Sequence, residues 1–131
     1  MENRDTGVRY YTTGLYDGTS VVGSEGGTFQ IADNYVSKSR LLEGDKMAIR
    51  ILDDGSLVFK VLSKARFTRA LSKVILEGSQ YMVEAGEKRY KINRASISFF
   101  KLKAGDTVAC MIPLATTAKW AAIDSKLPDL E

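Results

Sequence analysis

Apolar and polar residues alternate over short stretches of this chain, and most stretches end at a turn rich in glycine, aspartate or serine. Met47, Ile49 and Ile51 alternate with Lys46 and Arg50, a period of two that is typical of a strand with one buried face. The same criteria predict strands at 8–16, 21–22, 28–31, 57–62, 71–76, 81–83, 89–92, 107–112 and 119–123. The pattern therefore predicts an all-β fold.

The pattern of strands occurs twice along the chain, at an offset of 61 residues and without a gap. Residues 35–51 (YVSKSRLLEGDKMAIRI) align with residues 96–112 (SISFFKLKAGDTVACMI), and Gly44 aligns with Gly105. Each glycine precedes an aspartate, and we interpret both pairs as turns in which glycine supplies the positive φ. This spacing indicates an internal duplication of a small β unit.

Each unit contains about five short strands and one plug segment, at 32–42 in the first unit and 95–102 in the second. Phe59 of the first unit aligns with Trp120 of the second, and we predict that both anchor a core. Regular short strands with glycine-rich turns are typical of a small barrel.

Two barrel architectures fit this repeat. One is a tandem pair of five-stranded barrels of the oligonucleotide-binding (OB) or cold-shock type, and the other is a single pseudo-two-fold barrel of double-psi or related type. We favour the tandem pair. Its predicted divisions are a tail at 1–7, a first barrel at 8–64, a linker at 65–70, a second barrel at 71–125 and a tail at 126–131.

Composition narrows the class of protein. The chain has 131 residues, of which 44% are hydrophobic and 27% are charged, as in a folded domain. It has no histidine and one cysteine, Cys110, which excludes an internal disulfide and a structural zinc site. Cys110 lies on the apolar side of a predicted strand, so we expect its thiol to be buried. No apolar run reaches the roughly 20 residues that span a bilayer. We therefore expect a cytoplasmic protein that has no membrane partner.

The charges are unevenly distributed along the chain. Residues 60–103 carry eleven basic and three acidic side chains, a net charge of +8, whereas residues 1–59 have a net charge of −3 and residues 104–131 of −2. A basic segment between acidic flanks predicts a surface that binds a polyanion. The alternative is that these basic side chains are spread around a solvated surface.

Aromatic side chains lie among these basic residues, which is typical of a surface that stacks bases and contacts phosphates. Tyr81 is the expected stacking platform of the second unit. The candidate nucleic-acid-binding residues are Arg66, Arg69, Lys73, Tyr81, Lys88, Arg89, Lys91, Arg94, Lys101 and Lys103. We expect no catalytic, cofactor-binding or metal-binding residues.

The residues that define the repeat also carry a family resemblance. In the first unit they are 35–39 (YVSKS), 42–45 (LEGD), the strand up to Ile51 and 57–61 (LVFKV), and in the second they are 97–98, 102–106 and the strand up to Ile112. In this order of strands, plug and Gly-Asp turn, the chain resembles the cold-shock-like RNA-binding domain near the N-terminus of transcription terminator Rho. The resemblance implies an OB-type barrel and binding of single-stranded RNA.

The chain differs from this family at the strands that form the family's binding face. The family carries aromatic residues in a Gly-Phe-Gly-Phe-like pattern there, but this chain has 17–22 (DGTSVV) and 77–82 (EGSQYM), where only Tyr81 is aromatic. The function we expect is a non-catalytic module that binds single-stranded RNA or DNA through residues 60–103. The alternative is a structural or protein-interaction barrel, an accessory subunit with a protein partner in a larger assembly.

Overall fold

The structure, a computed structural model, describes residues 8–128. Within these residues each half contains five strands and one short helix, in the same order. The first half contains β1 (Val8–Tyr16), β2 (Val21–Gly23), β3 (Thr28–Phe29), α1 (Asp33–Lys38), β4 (Lys46–Leu52) and β5 (Leu57–Ser63). The second half contains β6 (Phe67–Glu77), β7 (Gln80–Ala85), β8 (Lys88–Ile92), α2 (Arg94–Phe99), β9 (Thr107–Pro113) and β10 (Trp120–Lys126). The prediction of a mostly β protein is confirmed. The predicted tail at 1–7 lies outside the described residues.

The strands of the second half form a closed barrel in the order β10-β8-β7-β6-β9. Closure comes from parallel pairing of β8 with β10, in which Trp120 pairs with Lys91 and Ala121 with Ile92. Alternate residues point inward, and side chains such as Val74 and Val108 are completely buried in the barrel. Removing this apolar surface from water is the main force that stabilises the closed sheet.

The strands of the first half form a sheet in the order β3-β2-β1-β4-β5, and this sheet is not closed. Our expectation of a closed barrel at 8–64 is therefore wrong. The reason lies in β3, which ends at Phe29 after only two residues and leaves nothing to pair with the outer edge of β5. The sheet still covers a core in which Met47, Ile49 and Val21 are completely buried.

Every strand pair in residues 8–128 joins two strands of the same half, so the interlocked single barrel is excluded. The halves nevertheless pack against each other, with α1 against α2. Leu42 of the first half forms a small core with Met111 and Ala122 of the second. In addition, the Arg40 side chain donates from Nε to the carbonyl of Asp124, with a nitrogen–oxygen distance of 2.9 Å.

The connection between the halves is shorter than predicted. The linker expected at 65–70 extends too far, because β6 begins at Phe67, and only residues 64–66 separate β5 from β6. Phe67 packs beside the small core between the halves, which draws this segment into the sheet. The tail predicted at 126–131 likewise begins too early, because Lys126 is the last residue of β10.

Local geometry repeats at the offset of 61 residues as far as the end of β9. Arg40 and Lys101 have φ values of 48° and 55°, and Gly44 and Gly105 have φ values of 99° and 100°. After each helix, residues with positive φ occur in the same order, and they turn the chain into the next strand, β4 or β9. The sequence alignment therefore predicts these turns correctly.

The offset changes beyond β9. Ile49 pairs with Phe59 across β4 and β5, whereas Cys110, 61 residues after Ile49, pairs with Ile123 across β9 and β10. The predicted equivalence of Phe59 and Trp120 is therefore wrong, and Ile123 takes the inward position in the barrel core. The cause is the longer connection before β10, which spans 114–119 where the first half has 53–56. Trp120 is displaced to the outside of the barrel.

Neither helix in the described part of the chain has the length and apolar character needed to cross a bilayer.

Candidate functional site

A cleft of about 310 Å³ opens where the two halves meet. The first half contributes the turn between β1 and β2 and the start of α1. The second half contributes the turn between β6 and β7, parts of β7 and β8, and the first residues of α2 and β10. The cleft is lined by Thr19, Asp33, Ser79, Gln80, Tyr81, Ile92, Asn93, Arg94 and Trp120. Because its walls come from both halves, the cleft depends on how the halves pack.

Trp120, at one wall of the cleft, is positioned by the first half from two directions. The backbone N–H groups of Lys119 and Trp120 both donate to Oε1 of Glu43, at 2.8 and 2.9 Å. The indole lies against Gly18, and a Cβ at Gly18 would be 2.3 Å from Cγ of Trp120. Gly18 also has a φ of +108°, in the left-handed region. Only glycine allows this close approach.

The floor of the cleft is a hydrogen-bonded junction around Asn93. Its Nδ2 donates to the hydroxyl oxygen of Tyr16 at 3.2 Å and to the carbonyl of Gly18 at 3.1 Å. Its Oδ1 accepts from the N–H of Ala95 at 2.8 Å and caps α2. Burial raises the pKa of Tyr16, so its hydroxyl stays neutral and donates to the carbonyl of Gly18. Asn93 therefore fixes the β1–β2 turn relative to α2.

The turn above this junction is rigid as well. The carboxylate of Asp17 accepts from the N–H groups of Thr19 and Ser20, at 2.9 and 2.8 Å. Although partial burial acts in the opposite direction, these hydrogen bonds hold the pKa of Asp17 below its usual value. The ionised carboxylate thus holds Thr19 at the edge of the cleft.

The side chains around the cleft combine aromatic rings with positive charge. Nζ of Lys91 lies 5.7 Å from the centroid of the Trp120 ring, a cation–π contact. Tyr81 and the exposed side chain of Arg94 also line the cleft, with Asp33 as the acidic member. Such a site suits a ligand that combines a flat ring with an anionic group.

Three of the residues predicted from sequence meet at this cleft. Tyr81 and Arg94 line it, and Lys91 contacts Trp120 at its wall. Tyr81 packs partly against the barrel core, so only part of its ring is exposed. The cleft therefore concentrates one aromatic and two cationic candidates in one place.

Three other candidates have carboxylate partners. Arg69 donates from Nε to Asp124 at 3.1 Å, and Arg89 pairs with Glu84 and Glu77 on β7 and β6. Nζ of Lys103 lies 3.3 Å from Oδ1 of Asp106. These carboxylates offset the three charges, which weakens their attraction for phosphate. The charge count along the sequence gives only totals, so it does not show which cations pair with Asp124, Glu77, Glu84 or Asp106.

The remaining candidates are exposed and lie on separate elements. Lys73 lies on β6, Lys88 at the start of β8 and Lys101 in the turn after α2. Arg66 lies between β5 and β6, beside a groove that includes Pro113. None of the four lines the cleft between the halves.

The sequence analysis missed Trp120 as a site residue, together with Asn93. A signal for Trp120 was present, since residues 120–123 read Trp-Ala-Ala-Ile. With Ala121 and Ile123 facing inward, the alternation of a strand places Trp120 outside the barrel. No local signal reveals Asn93, because its partners Tyr16 and Gly18 are distant in sequence.

The single cysteine does not line this cleft. Cys110 is completely buried in the barrel core, and burial raises the pKa of its thiol to about 11. The thiol is therefore protonated near neutral pH, as we expected of a structural cysteine. Within residues 8–128, no three histidine, cysteine, aspartate or glutamate side chains are grouped as metal ligands.

No protein-family model matches this chain, and no curated protein matches it.

Proposed function

We propose that the protein is a non-catalytic module that binds single-stranded RNA or DNA at the cleft between its halves. The observation that carries this proposal is the contact between Lys91 and Trp120, with Nζ 5.7 Å from the ring centroid at the wall of a cleft. An aromatic ring beside a cation suits a nucleotide, since the ring can stack with the base and the cation can contact the phosphate. We place the module in the cytoplasm, on the sequence grounds given above.

Trp120 is suited to stacking because it is already held in place. Glu43 fixes its backbone, and Gly18 fixes one side of its ring. Its side chain remains partly exposed. A ring that is already ordered loses little conformational entropy when a base stacks on it, so more of the stacking energy contributes to affinity.

Lys91 and Arg94 are suited to phosphate contacts. Both are exposed, and neither has a carboxylate within 4.0 Å among residues 8–128. They therefore differ from Arg89, whose guanidinium is shared between two glutamates. Binding through such cations releases counterions from the nucleic acid, which makes affinity depend on salt.

The strand order supports the same proposal. We infer from the order β8-β7-β6-β9-β10 and the parallel closure between β8 and β10 that the closed barrel is of the OB type, a fold that hosts oligonucleotide-binding sites. We propose that the first half is a duplicate of this unit that has lost its closure. Fold alone does not establish function, so the proposal depends on the chemistry of the cleft.

Trp120 is the only tryptophan of the chain, so its fluorescence tests the proposal directly. We expect a single-stranded oligonucleotide to quench this emission, because a base stacks on the indole. On single strands, log K should fall by about 0.7 per phosphate contact for each tenfold increase in salt. Replacing Lys91 and Arg94 together by serine should therefore weaken binding and reduce the salt slope by roughly 1–1.5.

The matched control replaces Lys46 and Lys60 by serine, which removes the same charge from the first sheet. This pair should leave the slope unchanged if the cleft binds phosphate. Equal losses in the two double variants would indicate a general charge effect, and unchanged emission at about 100 µM oligonucleotide would contradict the proposal.

A protein-interaction function is favoured by a different surface. Leu15 on β1 pairs directly with Val22 on β2, and the two side chains are 54% and 43% exposed. Neighbouring exposed apolar side chains on one face of a sheet are typical of a surface that meets another protein. If the oligonucleotide fails to bind, an accessory role in a larger assembly becomes the better proposal.

A further inference from the structure

The open side of the first sheet forms an apolar groove of about 440 Å³ between the segment after β3 and the strand β5. We propose that this groove accepts an extended peptide segment of another protein, which adds to the sheet as a strand beside β5. This mode of recognition combines main-chain hydrogen bonds with side-chain pockets. The groove is lined by Gln30, Ile31, Ala32, Tyr35, Leu57, Val58 and Phe59.

The unpaired edge of β5 faces this groove. Leu52 donates its N–H to the carbonyl of Ser56 at 2.9 Å, which fixes the alternation of hydrogen bonds between β4 and β5. In this alternation Val58 bonds to β4, and Leu57 and Phe59 direct their N–H and C=O groups away from it. The hydroxyl of Tyr35, which lines the groove, lies 3.4 Å from the carbonyl of Phe59 and confirms this direction.

The second half shows what occupies the equivalent place. There the chain pairs main chain to main chain, as Ala121 pairs with Ile92 and the N–H of Lys91 donates to the carbonyl of Lys119 at 2.8 Å. Ile31 lies 61 residues before Ile92, and the strand pairings that match Phe59 to Ile123, an offset of 64, match Leu57 to Ala121. Ile31 and Leu57 border the groove, but they are not paired with each other, and Leu57 pairs only with Ile51 of β4. A strand is therefore the occupant that this fold accommodates there.

The lining defines the chemistry of the occupant. None of the seven lining side chains is charged, and Ile31, Leu57 and Phe59 are apolar. An inserted charged side chain would lose its hydration without a partner. The occupant is thus an extended segment with uncharged, preferably β-branched, side chains at alternate positions. A second copy of β5 fits less well, because it brings a second Lys60 to a basic edge.

The probe is a capped hexapeptide in which valine and threonine alternate, added to the ¹⁵N-labelled full chain. We expect the largest chemical-shift changes at the amides of Leu57, Phe59 and Val61 and slower hydrogen exchange at the same amides. A peptide with its alternate amide nitrogens methylated should bind about tenfold more weakly, since it loses one or two main-chain hydrogen bonds. Stronger responses at alternate amides of β5, together with weaker binding of the methylated peptide, are specific to strand addition.

Ala32→Lys tests the location, because Ala32 is exposed and a lysine there places a charge in the groove. It should reduce binding about tenfold or more, whereas Thr116→Lys adds the same charge at an exposed loop and should have no effect. Equal binding of both peptides, or shifts centred outside β5, would overturn the proposal. The proposal would also be overturned if the protein without peptide had roughly twice the molecular mass of one chain and this association depended on β5. A second copy of the chain would then be the occupant of the groove.

Discussion

Asp45→Ala is expected to destabilise the protein by about 3–5 kcal/mol. The carboxylate is completely buried and accepts from the N–H groups of Leu42 and Ala65, each at 2.8 Å. It also accepts from Nζ of Lys64 at 2.5 Å. Alanine leaves the two backbone donors without an acceptor, and each costs about 1–3 kcal/mol. Urea unfolding followed by circular dichroism measures the loss as a lower midpoint.

Asp106→Ala is the matched control, because Asp106 follows a glycine of positive φ in the second half just as Asp45 does in the first. Its carboxylate accepts one backbone hydrogen bond, from Lys103 at 2.9 Å, and otherwise contacts the lysines Lys103 and Lys126. We expect a clearly smaller loss than at Asp45. Equal losses would show that the connection through Ala65 contributes little, and that the turn alone accounts for the stability.

Gly18→Ala is expected to cost about 2–5 kcal/mol, the sum of a left-handed backbone penalty and overpacking. The added Cβ would lie 2.3 Å from Cγ of Trp120, so either the β1–β2 turn or the indole must move. The same change should shift the emission of Trp120 and weaken oligonucleotide binding at the cleft. Both readouts can be obtained from one denaturant titration and one binding titration.

Gly78→Ala separates the two contributions. Gly78 has a φ of +63° in the turn between β6 and β7, and a Cβ there would meet no atom within 4 Å. Alanine at this position should therefore show only the backbone penalty, about 1–2 kcal/mol. Similar losses at both glycines would mean that the indole yields easily, which would contradict a rigidly held Trp120.

Local pattern was sufficient to predict most strands and both Gly-Asp turns, because alternation and glycine position are properties of neighbouring residues. It failed where distant parts of the chain decide the outcome. The ungapped alignment of the two halves predicted two closed barrels, but β3 is too short to meet β5. The position of Trp120 depended on the length of 114–119, which an ungapped offset cannot register.

The candidate site was predicted only in part, for a similar reason. Lys91 and Arg94 were identified because basic residues are visible in a sequence. Their neighbour Trp120 was assigned to the core, and the carboxylates that pair with Arg69 and Arg89 were not foreseen. Pairings of this kind depend on strand register and on the way β10 returns beside β9, which no local pattern specifies.

The short connection at 64–66 gives each half a high effective concentration around the other. For short tethers this concentration is of the order of millimolar, so docking of the halves is an intramolecular step. The contacts of Glu43 and Asn93 across the junction then act together with the small core of Leu42, Met111 and Ala122 to hold the cleft together. The covalent link thus contributes to the stability of the cleft although residues 64–66 do not line it.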